Sequence, residues 1–145
     1  MKTILLIEDD SELLFSLATG FNAAGYTVIP KANVKAALSA VATGVRADLV
    51  VVDEDLPGIK GKDPVTLLKQ IIPATPVVLL SDQVPQQSYV RWVNGEVSDL
   101  LIKPVDIADA LTVVQHALMQ ERAGWTDYFR RTMPQKMAPW LGSRR

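Results

Sequence analysis

Short apolar runs of four to six residues, separated by longer segments with helical periodicity, restrict this chain to few folds. Strands are predicted at about 3–7, 26–29, 48–52, 76–80 and 98–102. Helices are predicted between and after them, at about 11–24, 34–43, 64–72, 84–93 and 106–119. A strand followed by a helical crossover returns in the same direction, so repeated strand–helix units predict a parallel sheet with helices on its faces. The runs at 48–52 and 76–80 are apolar at nearly every position, as expected of strands covered on both sides. The fold class is therefore α/β.

Punctuation along the chain agrees. Ser11 is predicted to cap the first helix, with Leu13, Leu14, Leu17, Ala18 and Phe21 on one face. Gly25 is a terminator before the second strand. Asp63-Pro64 reads as a helix start, a capping carboxylate followed by proline in the first turn. Asp106 is predicted to cap the last helix, with Ile107, Leu111, Val114 and Leu118 as its apolar stripe.

The 145 residues suffice for one domain with a sizeable core. The absence of cysteine excludes disulfides and thiolate chemistry and accords with a cytoplasmic protein. The N-terminal apolar run is broken by acids after five residues, unlike a signal peptide, and no run approaches membrane-spanning length. A net charge of −1 argues against nucleic acid as the partner of the whole chain, but it conceals an asymmetry. Residues 1–120 carry nine Lys/Arg against fourteen Asp/Glu, and residues 121–145 carry six against two.

Four of the strand-like runs end in reactive chemistry. Ile4-Leu5-Leu6-Ile7 runs into Glu8-Asp9-Asp10, and Leu49-Val50-Val51-Val52 into Asp53. Pro76-Val77-Val78-Leu79-Leu80 ends at Ser81, and Leu100-Leu101-Ile102 at Lys103-Pro104. An open parallel sheet binds its ligands beyond the carboxyl ends of its strands, so these groups are predicted to converge. Crowded carboxylates repel unless a cation intervenes, and Mg²⁺, with Mn²⁺ as a substitute, suits an all-oxygen set. Asp53 is then a candidate nucleophile forming an aspartyl phosphate, with Lys103 and Ser81 offering charge and a donor to the phosphoryl oxygens. Singly, each residue has a plainer reading as a turn residue, a helix cap or a solvated loop; the coincidence of all of them at strand ends carries the argument.

Over residues 1–120 the chain resembles the receiver domain of bacterial two-component response regulators. The resemblance rests on Ile4-Leu5-Leu6-Ile7-Glu8-Asp9-Asp10, Val51-Val52-Asp53-Glu54-Asp55-Leu56-Pro57-Gly58-Ile59-Lys60-Gly61, Leu79-Leu80-Ser81 and Lys103-Pro104. It implies a flavodoxin-like, doubly wound sheet of five parallel strands in the order 2-1-3-4-5. It implies Asp53 as phosphoacceptor, Asp9 as direct metal ligand, Glu8 acting largely through water, and the backbone carbonyl of Asp55 as a further ligand. Ser81 and Lys103 would read the acyl phosphate, and the Lys103–Pro104 bond would be cis. The donor would be a histidine kinase or a phosphotransfer protein, and the output protein–protein contact with a downstream partner or a separate output domain. Such a domain is a phosphoacceptor rather than an enzyme, self-phosphorylating from small donors and slowly losing the group.

Three positions depart from the family pattern. Leu100 stands where receivers usually carry the aromatic ring that swings on activation. Asp82 replaces a small residue after the hydroxyl, and Glu96 replaces a glycine, with Gly95 displaced by one. Leu100 and Asp82 suit a rival reading, a pseudo-receiver that signals without phosphate. A haloacid-dehalogenase-like phosphatase fits less well, because its Asp-x-Asp pair follows the first strand and Asp53-Glu54-Asp55 follows the third. His116, the one histidine, reads as a packing or surface residue of the last helix. Residues 121–145 form an aromatic, basic extension or linker: Trp125, Tyr128, Phe129 and Met133 fall at helical spacing before Pro134, and Met137, Pro139, Trp140 and Leu141 form a second cluster. Its plainer readings are a linker to an output domain or extra packing on the receiver; docking to a partner or homodimer formation is the alternative.

Overall fold

The computed structural model describes residues 1–82 and 86–119. Five strands alternate with five helices: β1 (Thr3–Ile7), α1 (Ser11–Ala23), β2 (Thr27–Lys31), α2 (Val34–Ala42), β3 (Leu49–Asp53), α3 (Pro64–Ile71), β4 (Val77–Ser81), α4 (Gln86–Val93), β5 (Asp99–Ile102) and α5 (Ile107–Leu118). The strands form one parallel sheet in the order β2-β1-β3-β4-β5. This is the flavodoxin-like architecture expected from the sequence. The chain reverses direction of growth between β1 and β3, and the crevice at that switch point is where such sheets bind ligands.

Every residue of β3, β4 and β5 is buried, as are four of the five in β1. The apolar strands are thus sandwiched, and Leu17 and Phe21 of α1 and Val65 and Leu68 of α3 supply covering side chains. β2 lies at one border of the sheet, and none of its residues is fully buried. Among the described residues no helix is long and apolar enough to cross a membrane.

Several boundaries differ from expectation for local reasons. Asp10, not Ser11, caps α1: its carboxylate accepts from the backbone N–H groups of Glu12 and Leu13 at 3.0 and 3.2 Å. A charged acceptor at the positive end of a helix outcompetes a neutral hydroxyl. At the other end of α1, Tyr26 N–H bonds to Phe21 O and Gly25 N–H to Asn22 O, with Gly25 at φ 99°. That paired closure consumes the Tyr26 donor, so β2 begins at Thr27 rather than 26 and runs on to Lys31. β3 and β4 extend one residue further than predicted, making Asp53 and Ser81 the last residues of their strands. The buried stripe of α5 is Ala110, Val113, Val114 and Ala117. Of the predicted stripe only Val114 is fully buried; Leu111 and Leu118 pack at its margin and Ile107 is exposed. Alanines let α5 approach the sheet closely, which turns the larger side chains to the flank. Asp63 and Asp106 cap α3 and α5 as expected. Residues 84 and 85 of the fourth predicted helix and the whole 121–145 segment lie outside the described residues.

Candidate phosphoacceptor site

The strand ends bring the predicted groups together. Asp53 closes β3 with 3% exposure, and its Oδ1 accepts from the Asp55 backbone N–H at 2.8 Å. Its Oδ2 lies 2.7 Å from Lys103 Nζ, delivered by the loop after β5. That loop is fixed by the Lys103 N–H bonding to Ser81 O at 2.7 Å and contains a cis Lys103–Pro104 peptide. Lys103 Nζ also contacts Glu8 Oε1 at 2.9 Å, immediately after β1, and Asp82 Oδ1 at 3.8 Å. Glu8 is fully buried, Asp9 and Asp82 are exposed, and Leu100 is buried within β5 beside Leu79.

Carboxylate oxygens of Glu8, Asp9 and Asp53 lie within 4.8 Å of one another. Three hard oxygen donors, one of them solvent-accessible, fit a cation such as Mg²⁺ that keeps several waters. The Asp55 backbone N–H is hydrogen-bonded to Asp53, which fixes the residue whose carbonyl is expected among the metal ligands.

Electrostatics divide the two buried acids. Burial pushes the Glu8 carboxyl up to about 7, with Asp53 adding to the rise and Lys103 opposing it. Burial also works against ionised Asp53, but Lys103, the Asp55 N–H and Glu8 together hold it below its ordinary value. Lys103 in turn is held well above its ordinary value: burial opposes the charge, and Asp53 and Glu8 outweigh it. Asp53 is therefore the stronger acid and is ionised at neutral pH, the state a nucleophile requires.

Ser81 is brought to the site edge but its hydroxyl lies 3.2 Å from Ser88 Oγ, and Ser88 donates to Glu54 Oε2. Neither Ser88 nor Glu54 was singled out by the sequence. Ser88 follows a polar stretch with no pattern of its own, and Glu54 reads as an acid in an acidic loop. Burial raises the Glu54 carboxyl, and the Ser88 hydrogen bond opposes that rise. A cleft of about 180 Å³ beside this pair is lined by Glu54, Asp55, Asp63, Val65, Leu79 and Arg91. Arg91 of α4 bridges it, pairing with Asp63 at 2.8 Å.

Comparisons with known proteins identify the family and the fold. Residues 4–115 match the response regulator receiver domain. The transcriptional regulatory protein PrrA of Mycobacterium tuberculosis is 31% identical over 119 residues, covering 82% of this chain and 50% of that protein. The uncharacterized transcriptional regulatory protein YkoG of Bacillus subtilis is 32% identical over 119 residues, covering 81% of this chain and 51% of that protein. The chain thus spans about half the length of these curated relatives. Among solved structures, a response regulator from Desulfuromonas acetoxidans superposes with a TM-score of 0.74 at 21% identity, covering 82% of this chain and 98% of that one. A signal receiver domain from Pseudomonas fluorescens Pf-5 gives 0.72 at 25% identity, covering 84% and 98%. Matched by the family over residues 4–115, and similar in fold to solved receiver domains, the chain belongs to the response-regulator receiver domain family.

Proposed function

We propose that residues 1–120 accept a phosphoryl group onto Asp53 from a phosphohistidine of a histidine kinase or phosphotransfer protein. The observation that carries this reading is the nearly buried Asp53 carboxylate, gripped by Lys103 at 2.7 Å and flanked by Glu8 and Asp9. In the transfer an Asp53 oxygen bonds to phosphorus as the bond to the donor imidazole nitrogen breaks. Lys103 is the mobile counter-charge: it leaves the Asp53 carboxylate and pairs with the phosphoryl oxygens, while Ser81 turns to donate to one of them. Glu8, Asp9 and Asp53 would hold Mg²⁺, which when bound supplies positive charge against the phosphoryl oxygens. A groove of about 400 Å³ between the start of α1 and the β5–α5 loop, lined by Asp10, Leu13, Ser16, Lys103 and Val105, opens beside Lys103 and suits the approach of a donor.

The signal then passes by protein–protein contact to a downstream partner or an output domain; the relatives' names point to control of transcription. The chain's cytoplasmic placement and the role of residues 121–145 as a docking extension belong to the same reading. A pseudo-receiver is the second reading, supported by Asp82 placing a third carboxylate near Lys103 and by the missing ring at Leu100. Incubation with acetyl phosphate and Mg²⁺, read by intact mass, tests the first. One phosphoryl group is expected on the parent and none on Asp53→Asn or in excess chelator. An unlabelled parent would favour the pseudo-receiver.

A further inference from the structure

Three carboxylates surround the Lys103 ammonium. Asp53 at 2.7 Å and Glu8 at 2.9 Å are buried and belong to the site just described. The third, Asp82, stands 3.8 Å away with its side chain 66% exposed. It follows Ser81, the last residue of β4, in a register that sets Asp53 of β3 beside Leu80. Asp82 therefore borders the opening through which a phosphoryl group must reach the nearly buried Asp53. Asp55, exposed on the loop after β3, borders the same opening. Burial raises the Asp55 carboxyl, and Asp53 and a hydrogen-bonding approach of Asp82 raise it further, so the two loops present their carboxylates to each other. Neither side chain belongs to the Glu8, Asp9 and Asp53 set that could hold a cation. A metal there would offset the repulsion among its own ligands and leave the Asp82 side chain with Lys103 alone for a partner among the ion pairs described.

We propose that Asp82 is a charge filter on the phosphodonor: its carboxylate, beside the lysine that receives the phosphoryl oxygens, disfavours small acyl phosphates and favours a nitrogen-linked phosphoryl group. The inference deepens the phosphoacceptor reading and rests on it. With either donor an Asp53 oxygen forms the bond to phosphorus. From acetyl phosphate the electron pair of the breaking P–O bond goes to acetate, which must leave as an anion past the acidic rim. From phosphoramidate or a phosphoimidazole protonated on its ring, the pair of the P–N bond goes to nitrogen, and ammonia or imidazole leaves uncharged. Acetyl phosphate also arrives at neutral pH with two negative charges, and phosphoramidate with a net one. One unit of charge about 5 Å from Asp82, at a wet rim, is worth about 3- to 10-fold in rate. A protein donor offsets the repulsion with contacts elsewhere on its surface, which a free acyl phosphate lacks. Asp82 makes and breaks no bond in this scheme; it determines which donor is used.

The filter is measurable with the full chain and Mg²⁺, using acetyl phosphate and phosphoramidate separately and following intact mass over time. Asp82→Asn removes the charge and keeps the size. In this variant the labelling rate from acetyl phosphate, relative to that from phosphoramidate, should rise about 3- to 10-fold. In the parent the same ratio should rise with ionic strength, and in Asp82→Asn it should do so less. Asp48→Asn removes a carboxylate from the opposite end of β3 and should leave the ratio as it is, which separates a local filter from an effect of net charge. An unchanged ratio in Asp82→Asn, an equal gain for both donors, or the same change in Asp48→Asn would each overturn the filter. A parent ratio indifferent to salt would also overturn it, and carries the test if the variant does not fold. A parent labelled by neither donor would instead overturn the phosphoacceptor reading beneath it.

Discussion

Glu8 binds its proton more tightly in the folded chain, at about 7, than an ordinary glutamate does at 4.5. Between these values folding takes up a proton, so this contribution to stability is complete below pH 4.5 and is lost as pH rises to about 7. Asp53 acts oppositely: its depressed value adds stability above the ordinary 3.8, which is lost as pH falls through the folded value. In chelator, urea unfolding of the parent should lose about 1–2 kcal/mol between pH 5 and pH 7.5. Glu8→Gln, which cannot ionise, should show less than half of that loss, and an undiminished loss would place the titration elsewhere. The site that favours a metal at neutral pH is therefore the site that costs stability without one. Mg²⁺ should flatten the parent's profile by offsetting the repulsion between Glu8 and Asp53.

At the scale of elements, side-chain caps do much of the positioning, and they were mostly legible. Asp63 was evident from Asp63-Pro64, and Asp106 from the residues that follow it. Asp10 was missed because Ser11 is the more familiar capping type, whereas the decision is made by which side chain reaches the N–H groups of Glu12 and Leu13. The α5 stripe was misjudged because volume was weighed above proximity; Ala110 and Ala117 are buried because they are small. Glu8, Asp9, Asp53 and Lys103 were legible because each ends an apolar run, so strand direction alone brings them together. Ser88 and Arg91 were not, because their partners Glu54, Ser81 and Asp63 come from other elements and no sequence period connects them. Asp63 carries two duties at once. It accepts from the Thr66 N–H at 3.1 Å and the Thr66 hydroxyl at 2.9 Å, and it pairs with Arg91. With the Asp63 side chain 42% exposed, the ion pair adds little to the cap. Asp63→Ala should cost about 1–2 kcal/mol, of which the cap is the larger part. Arg91→Ala should cost less than half as much in the same urea titration; equal costs would make the ion pair dominant.

For the whole molecule, the acidic body and basic C-terminal segment suggest that residues 121–145 govern association more than folding. Strands and helices sufficient for the fold are complete by Leu118. A chain truncated after Gln120 should fold and take up phosphate from acetyl phosphate, yet self-associate or bind partners less, with the difference shrinking in high salt during sedimentation. Failure of the truncated chain to fold would assign the segment to the core instead.

Pro30 on the border strand has a consequence for solubility. The Thr27 N–H is spent on Lys2 O, inward toward β1. Alternation along the strand then aims the nitrogens of Val28 and Pro30 outward, and proline carries no hydrogen there. The open side of the sheet offers a foreign strand one amide where a continuous ladder needs two. An exposed sheet border is a standing invitation to fibrous stacking, and here the invitation is withdrawn by a single imino ring. Pro30→Val should leave the domain folded but raise light scattering on prolonged incubation at high concentration; a variant as clear as the parent would show that the border is guarded by something else.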